Sequence, residues 1–198
     1  MDLIIIRHGQ SEADILNVIE GRADFNLTEL GYKQANLMAK WVKNYINIDK
    51  IISSSLKRAK QTAETLSKYL HIDVEYEDLL MEWKNGLIAG LSWEEANNLY
   101  PEPDFKHPHT AVYEQESTIE FRARAETILS KIIYENPPDS KIAVVSHGNM
   151  INMLFRSFLE LPVNSDSSIS SGDTGIHHWK TKNNSRIIHK INSLVHLG

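Results

Sequence analysis

The chain predicts an α/β fold: a three-layer α/β/α sandwich with a mostly parallel central sheet and a small cap insertion. Three observations carry this expectation. Leu3–Ile6 and Ile142–Val145 are unbroken apolar runs, the mark of strands covered on both faces. Amphipathic stretches of helical period alternate with such runs, as in layered α/β folds. Residues 77–118 lose that periodicity and gather Gly86, Gly90, three of the six prolines and two of the four tryptophans. They read as a cap over the sheet, so residues 1–198 are expected to form one domain.

Each element has its own reason. Leu3 to Gly9 starts as a buried strand and breaks off at Arg7-His8-Gly9, with Gly9 allowing a sharp turn and the close approach of a ligand. A loop runs through Glu20-Gly21-Arg22-Ala23-Asp24. Thr28 is a good N-cap for a helix whose inner face would be Ala35, Leu37, Met38, Trp41 and Val42. Ile48 to Ser53 predicts a second strand, and Leu56 to Tyr69 a helix with Ala59, Ala63, Leu66 and Leu70 inward. Ile72 to Tyr76 predicts a third strand, and Ser92 to Tyr100 a short helix. Thr118 to Tyr134 is amphipathic, with Ile119, Ala123, Ile128, Ile132 and Ile133 as candidate core, and Pro137-Pro138-Asp139 ends it. Lys141 to Ser146 is a buried strand, followed by His147-Gly148 and a helix from Asn149 to Leu159. Gly175–Lys180 and Arg186–Leu194 predict a closing strand pair around Lys182-Asn183-Asn184. Trp41 and Trp179 are expected in the core.

Composition narrows the function. Hydrophobic residues make up 41% and charged residues 24% of the 198, the balance of a soluble globular protein. A net charge of −5 argues against a broad nucleic-acid face, while a small anion pocket stays possible. Cysteine is absent, which excludes disulfides, thiolate nucleophiles and thiolate metal sites. With no basic leader and no apolar run of roughly 20 residues, a cytoplasmic protein without a membrane partner is expected. Oligomeric state is not readable.

The charged residues at strand ends carry the chemistry. Two strands end in the same way, in an apolar run, a histidine and a glycine. If they are sheet neighbours, His8 and His147 share one crevice at the carboxyl edge, where open α/β sheets bind ligands. Arg7 stands beside His8, and Arg58 lies in the first turn of the helix after Ser53-Ser54-Ser55. Two guanidinium forks, an imidazolium and a helix terminus suit a tetrahedral dianion. Read singly, His147 would be a core histidine and Arg58 a solvated arginine among Lys57 and Lys60. His107-Pro108-His109 and His177-His178 have no partner at metal-ligand spacing, and adjacent strand residues point to opposite faces, so no metal is expected. A Gly-x-Ser-x-Gly elbow, a P-loop and a dinucleotide fingerprint are all missing.

The ordered set Arg7-His8-Gly9-Gln10-Ser11, Leu27-Thr28 with Gly31 and Gln34-Ala35, Ser54 with Leu56, Arg58-Ala59 and Gln61-Thr62-Ala63, Glu82 with Gly86 and Gly90, Glu116-Ser117, and Val145-Ser146-His147-Gly148 resembles the histidine phosphatase superfamily, in its phosphoglycerate-mutase-like branch. The resemblance covers nearly the whole chain. It implies that His8, neutral and held by a backbone carbonyl, attacks phosphorus and becomes phosphohistidine. It implies that Arg7, Arg58, His147 and Gly148 bind the phosphate, that Glu82 is the proton donor, and that no cofactor or metal is needed. Glu82 would need a carboxyl pKa raised toward neutrality, which Trp83 and partial burial could supply.

Two departures from the family pattern stand out. Asp14 replaces a common asparagine near the phosphate and should repel a dianion unless turned away or paired, for instance with Arg22; Ser55 replaces a common proline. The family's mutases carry a longer insertion between the residues matching Arg58 and His147. The short interval here favours a metal-independent phosphomonoesterase acting on a small phosphorylated metabolite. Mutase-type phosphoryl transfer and non-catalytic phospholigand binding are the alternatives. The pocket wall is expected from Glu20 to Phe25 and from residues 83 to 116, with Arg22, Lys84, Lys106, His107, Tyr113 and Gln115 as candidates.

Overall fold

Six strands form one mixed sheet in the order β3-β2-β4-β1-β5-β6. The structure, a computed structural model, describes every residue except Lys106 and Asn184; the expectations placed on those two lie outside the described residues. In chain order the elements are β1 (Asp2–Arg7), α1 (Glu12–Leu16), α2 (Glu29–Tyr45), β2 (Lys50–Ser53), α3 (Lys57–Leu70), β3 (Val74–Tyr76), α4 (Trp93–Leu99), α5 (Thr118–Tyr134), β4 (Lys141–Ser146), α6 (Gly148–Phe158), β5 (Ile176–Lys182) and β6 (Ser185–Ser193). Strands β3, β2, β4 and β1 run parallel, while β5 and β6 close the sheet antiparallel.

Strand alternation sorts β1 into two faces. Leu3 and Ile5 join a core with Phe121, Ile128 and Ile132 of α5 and Ile151 and Leu154 of α6. Ile4 and Ile6 join a second core with Met38 and Val42 of α2 and Ala59, Ala63 and Leu66 of α3. The sheet is thus the middle of three layers, and burying each such isoleucine contributes about 2–3 kcal/mol.

The expected elements are present with shifts of a few residues at their ends. Three inward assignments fail: Leu37 and Ile119 are exposed at 45% and 47%, and Ala123 is exposed. Ala39, Phe121, Ala125 and Leu129 are buried instead, because the apolar stripe of each helix is broad and the sheet takes only part of it. Trp179 is fully buried, and Trp41 packs at the margin of the second core.

β1 and β4 are direct neighbours, with Arg7 opposite Ser146. His8 and His147 therefore leave the same edge of the sheet side by side. Ser53 at the end of β2 lies in register with Val145, which brings the start of α3 to that edge as well. Across the crevice, Ile19 is tied to the segment after the short 3-10 turn Gly86–Ile88: the Gly90 N–H donates to the Ile19 carbonyl at 2.7 Å and the Ile19 N–H to the Leu91 carbonyl at 2.8 Å.

Gly9 serves packing. A Cβ there would lie 2.6 Å from the Gly31 carbonyl oxygen, and one on Gly31 would lie 2.1 Å from that of Gln10. The two glycines let the turn after β1 press on the start of α2.

Candidate active site

His8 is almost completely buried, and its ring is fixed from both sides. Nδ1 lies 2.8 Å from the Gly9 carbonyl, which can only accept, so the proton sits on Nδ1. Nε2 then accepts from Arg58 Nε at 3.1 Å. Burial, with Arg58 and Arg7 alongside, holds the His8 pKa well below its ordinary value. The ring is a neutral base with its lone pair at Nε2, as the sequence requires of a nucleophile.

Arg58 is buried completely at the start of α3. Its Nη1 donates to the Ala23 carbonyl at 3.1 Å and its Nη2 to that of Gly21 at 2.8 Å. Its Nε also lies 3.0 Å from Glu20 Oε2. Arg7 is held by the loop before β5: Nη1 donates to the Ser171 carbonyl at 2.7 Å, and Nη2 lies 3.5 Å from Asp173 Oδ1. Its Nε is buried without a protein partner.

His147 is the N-cap residue of α6, with its ring centroid 5.0 Å from that of His8. Ser54 Oγ lies 2.8 Å from Nε2 and already accepts from the Leu56 N–H. When the Ser54 O–H donates to Nε2, the His147 proton sits on Nδ1, which is buried without a protein partner. Arg7 Nε and His147 Nδ1 are thus two buried donors with capacity for a ligand, at a cost of about 1–3 kcal/mol each while unsatisfied. Burial and the nearby arginines hold the His147 pKa well below its ordinary value, so the imidazolium expected there is replaced by a neutral donor. Gly148 opens α6, and a Cβ on it would meet no atom within 4 Å.

Glu82 is buried against the start of α6. Oε1 accepts from the Trp83 N–H at 2.7 Å and the Met150 N–H at 3.2 Å, and Oε2 accepts from the Asn149 N–H at 3.0 Å. The Trp83 ring packs edge to face on Phe121, with centroids 4.9 Å apart.

Sequence reasoning missed the support beneath Glu82. Arg124 on α5 donates to the carbonyls of Leu79, Met81 and Glu82 at 2.8, 2.6 and 3.1 Å, and it pairs with Glu116 at 2.6 Å. Arg22 donates to the Glu82 carbonyl at 3.2 Å. Glu116 also accepts from the Lys84 N–H at 2.6 Å. Glu116 stood in the sequence pattern, but nothing along the chain links it to Arg124.

Asp14 is turned away from Arg22. It accepts from the Ser11 N–H at 2.8 Å and caps α1, a five-residue helix too short to show a period. The carboxylate that does enter the crevice is Glu20, placed by sequence only in the pocket wall. Oε2 lies 3.7 Å from His8 Nε2, and the Ser11 hydroxyl bonds Oε1.

Of the remaining wall candidates, His107 and Gln115 line a cleft of about 390 Å³ with Trp83, Glu116 and Arg156. Lys84 is exposed, and Tyr113 donates to the Pro101 carbonyl at 2.9 Å. A larger hollow of about 1080 Å³ lies at the opposite end of the sheet, around Asp2 and Lys180. It contains none of the converging groups.

Comparison with known proteins agrees with this arrangement. A probable phosphatase of Schizosaccharomyces pombe is 34% identical over 161 residues, 79% of this chain and 56% of that one, so the chain spans little more than half of that relative. Phosphoserine phosphatase 1 of Hydrogenobacter thermophilus is 29% identical over 203 residues, covering 99% of this chain and 94% of its own. The crystal structure of an Entamoeba histolytica phosphoserine phosphatase mutant in complex with phosphoserine superposes with a TM-score of 0.80 at 28% identity, covering 99% of this chain and 98% of that one. The model of the histidine phosphatase superfamily (branch 1) matches residues 3–194. With the paired histidines, the buried arginine and the family match over nearly its whole length, the chain belongs to the histidine phosphatase superfamily.

Proposed function

We propose that the protein is a metal-independent phosphomonoesterase that hydrolyses small phosphorylated metabolites through a phosphohistidine at His8. The observation that carries this reading is the His8 ring: neutral, with Nδ1–H held by the Gly9 carbonyl and the Nε2 lone pair facing Arg58. The phosphatase names of the relatives support the same class.

In the first step the Nε2 lone pair attacks phosphorus and the ester P–O bond breaks. Arg7, Arg58 and His147 Nδ1–H hold the equatorial oxygens, with the start of α6 at Gly148 beside them. Preorganised charge of this kind is the main lever in phosphoryl transfer. Glu82 gives its proton to the leaving alkoxide. Oε1 already accepts two N–H groups and Oε2 one, so Oε2 is the oxygen with room for that proton. Water then attacks the phosphohistidine, Glu82 takes its proton, and the P–N bond breaks.

We read residues 1–198 as one domain, with residues 77–118 as a cap that carries Glu82 and bonds to residues 18–21. Among the described residues no helix is long and apolar enough to cross a membrane. A cytoplasmic location fits the absence of cysteine. The test is phosphate release from an aryl phosphate and a panel of phosphorylated metabolites. Wild type should turn over with or without a chelator, and His8→Ala should not. Full activity in His8→Ala would refute the mechanism.

A further inference from the structure

Glu20 sits where the phosphate has to go. Its carboxylate oxygen Oε2 lies 3.0 Å from Arg58 Nε, whose N–H is donated to His8 Nε2 at 3.1 Å. The same oxygen lies 3.7 Å from His8 Nε2, the atom that must reach phosphorus. Four elements face it: Arg58 from α3, Arg7 and His8 from the end of β1, Asp14 and the Ser11 hydroxyl from the start of α1, and the Glu20–Ala23 loop itself. His147 stands behind His8 across the two rings.

The Ser11 hydroxyl gives a second, independent indication. It lies within hydrogen-bonding distance of two carboxylates, Glu20 Oε1 and Asp14 Oδ2, the latter at 3.3 Å. A hydroxyl has one proton to donate. If both contacts are hydrogen bonds, one carboxyl group must donate to the Ser11 oxygen. Asp14 already accepts the Ser11 N–H on the same oxygen. Glu20 is the more deeply placed, and burial raises its pKa against the opposing pull of Arg58. The Glu20 side chain is therefore built to exist in two forms, an anion paired with Arg58 and a neutral acid bonded to Ser11.

We propose that Glu20 is a proton-controlled competitor for the phosphate cradle: as an anion it takes Arg58 and shields His8 Nε2, and as a neutral acid bonded to Ser11 it yields Arg58 to the ligand. Two anions cannot share Arg58 Nε at 3 Å without strong repulsion in a site this dry. Phosphate binding is then coupled to proton uptake by Glu20. The pocket selects against the dianion when Glu20 is charged, and affinity weakens as pH rises through the Glu20 ionisation. The inference rests on the phosphatase reading for its catalytic consequence, but the binding it describes can be measured without turnover.

The experiment is calorimetric titration of inorganic phosphate into wild type, Glu20→Gln and Glu20→Ala across pH, in pairs of buffers of different ionisation enthalpy. Circular dichroism checks that each variant is folded. Both variants should bind phosphate about tenfold more tightly, or better, at the alkaline end. The gain should shrink toward acid, and wild type should take up more protons on binding than either variant. The second ionisation of phosphate is common to all three proteins and cancels in the ratio. Glu20→Ala guards against a gain that comes only from the new amide of glutamine. The proposal is overturned if folded variants bind phosphate no more tightly than wild type, or if the ratio does not change with pH. Aryl phosphate turnover, followed in parallel, separates the two readings. Tighter binding without turnover in any of the three proteins would refute the phosphatase reading and keep this one. Turnover that depends on His8 with no gain in the variants would do the reverse.

Discussion

At the scale of single residues, the site is a problem of placing protons. In the proposed mechanism His8 works only if Nδ1 keeps its proton and Nε2 does not, and the Gly9 carbonyl, burial and the nearby Arg58 and Arg7 favour that state. Because the His8 pKa is held well below its ordinary value in the free protein, the nucleophile should stay neutral on the acid side of pH 6.5, and kcat/KM should not fall there from loss of His8. In the proposed mechanism Glu82 supplies the other proton. Glu82→Gln should lower kcat about 10²–10⁴-fold for an alkyl phosphate, the usual range for a lost general acid, and much less for an aryl phosphate whose leaving group needs no protonation. Equal losses for both esters would remove Glu82 from that role. Arg7, His8, Arg58 and His147 were legible only as a set, since each ends or begins a recognisable element of the same sheet edge, and Glu82 only through the family resemblance. Glu20 was not, because nothing along the chain shows a loop glutamate folding back on Arg58.

At the scale of elements, the site depends on two clamps that long-range contacts create. The first is Arg124 of α5, which ties three carbonyls of residues 79–82 to Glu116. The pair is nearly buried, so breaking it leaves an uncompensated charge, a loss of about 3–5 kcal/mol. Arg124→Met should lower stability by that order in denaturant unfolding and reduce kcat more than it raises KM. A stable variant with unchanged kcat would make the clamp irrelevant to Glu82. The second runs from β5 to Arg7. The Asn192 N–H donates to His177 Nδ1 at 3.2 Å, leaving Nε2–H to donate to Ser171 Oγ at 2.9 Å, and the Ser171 carbonyl accepts from Arg7. Periodicity marked the helices and strands on both sides of these clamps, because buried stripes repeat along the chain. It could not mark the clamps, which bring Arg124 to the carbonyls of residues 79–82 and Arg7 to Ser171 across the fold. It also overcounted the inward face of α2 and α5, where Leu37 and Ile119 remain exposed.

At the scale of the whole molecule, the parallel pairing of β1 and β4 brings His8 and His147 to one edge; the apolar runs that end in histidine and glycine raised that pairing only as a condition. The antiparallel closure by β5 and β6 also has a consequence for acid stability. His177 on β5 is buried, and burial holds its pKa at about 4 against an ordinary 6.5. The folded state excludes its proton while the unfolded chain accepts it. Stability from this group is complete above about pH 6.5 and is lost progressively as pH falls toward about 4, by about 3 kcal/mol in all. His177→Gln should unfold more easily at neutral pH yet show a shallower decline of stability across that window. An unchanged slope would assign the acid loss to other groups. The break in periodicity over residues 77–118 was visible in the sequence, but the bonds that join Gly90 and Leu91 to Ile19 appear only in the folded chain.

The central claim is that phosphoryl transfer passes through His8. Rapid acid-free quenching of the enzyme during turnover of a ³²P-labelled ester, followed by peptide mapping, tests it most directly. The account predicts a transient label on the peptide containing His8, stable to base and lost in acid, that forms and decays as fast as phosphate is released and is absent in His8→Ala. Steady release of phosphate with no label on that peptide at any time, from an enzyme whose chemistry is slower than the quench, would contradict it.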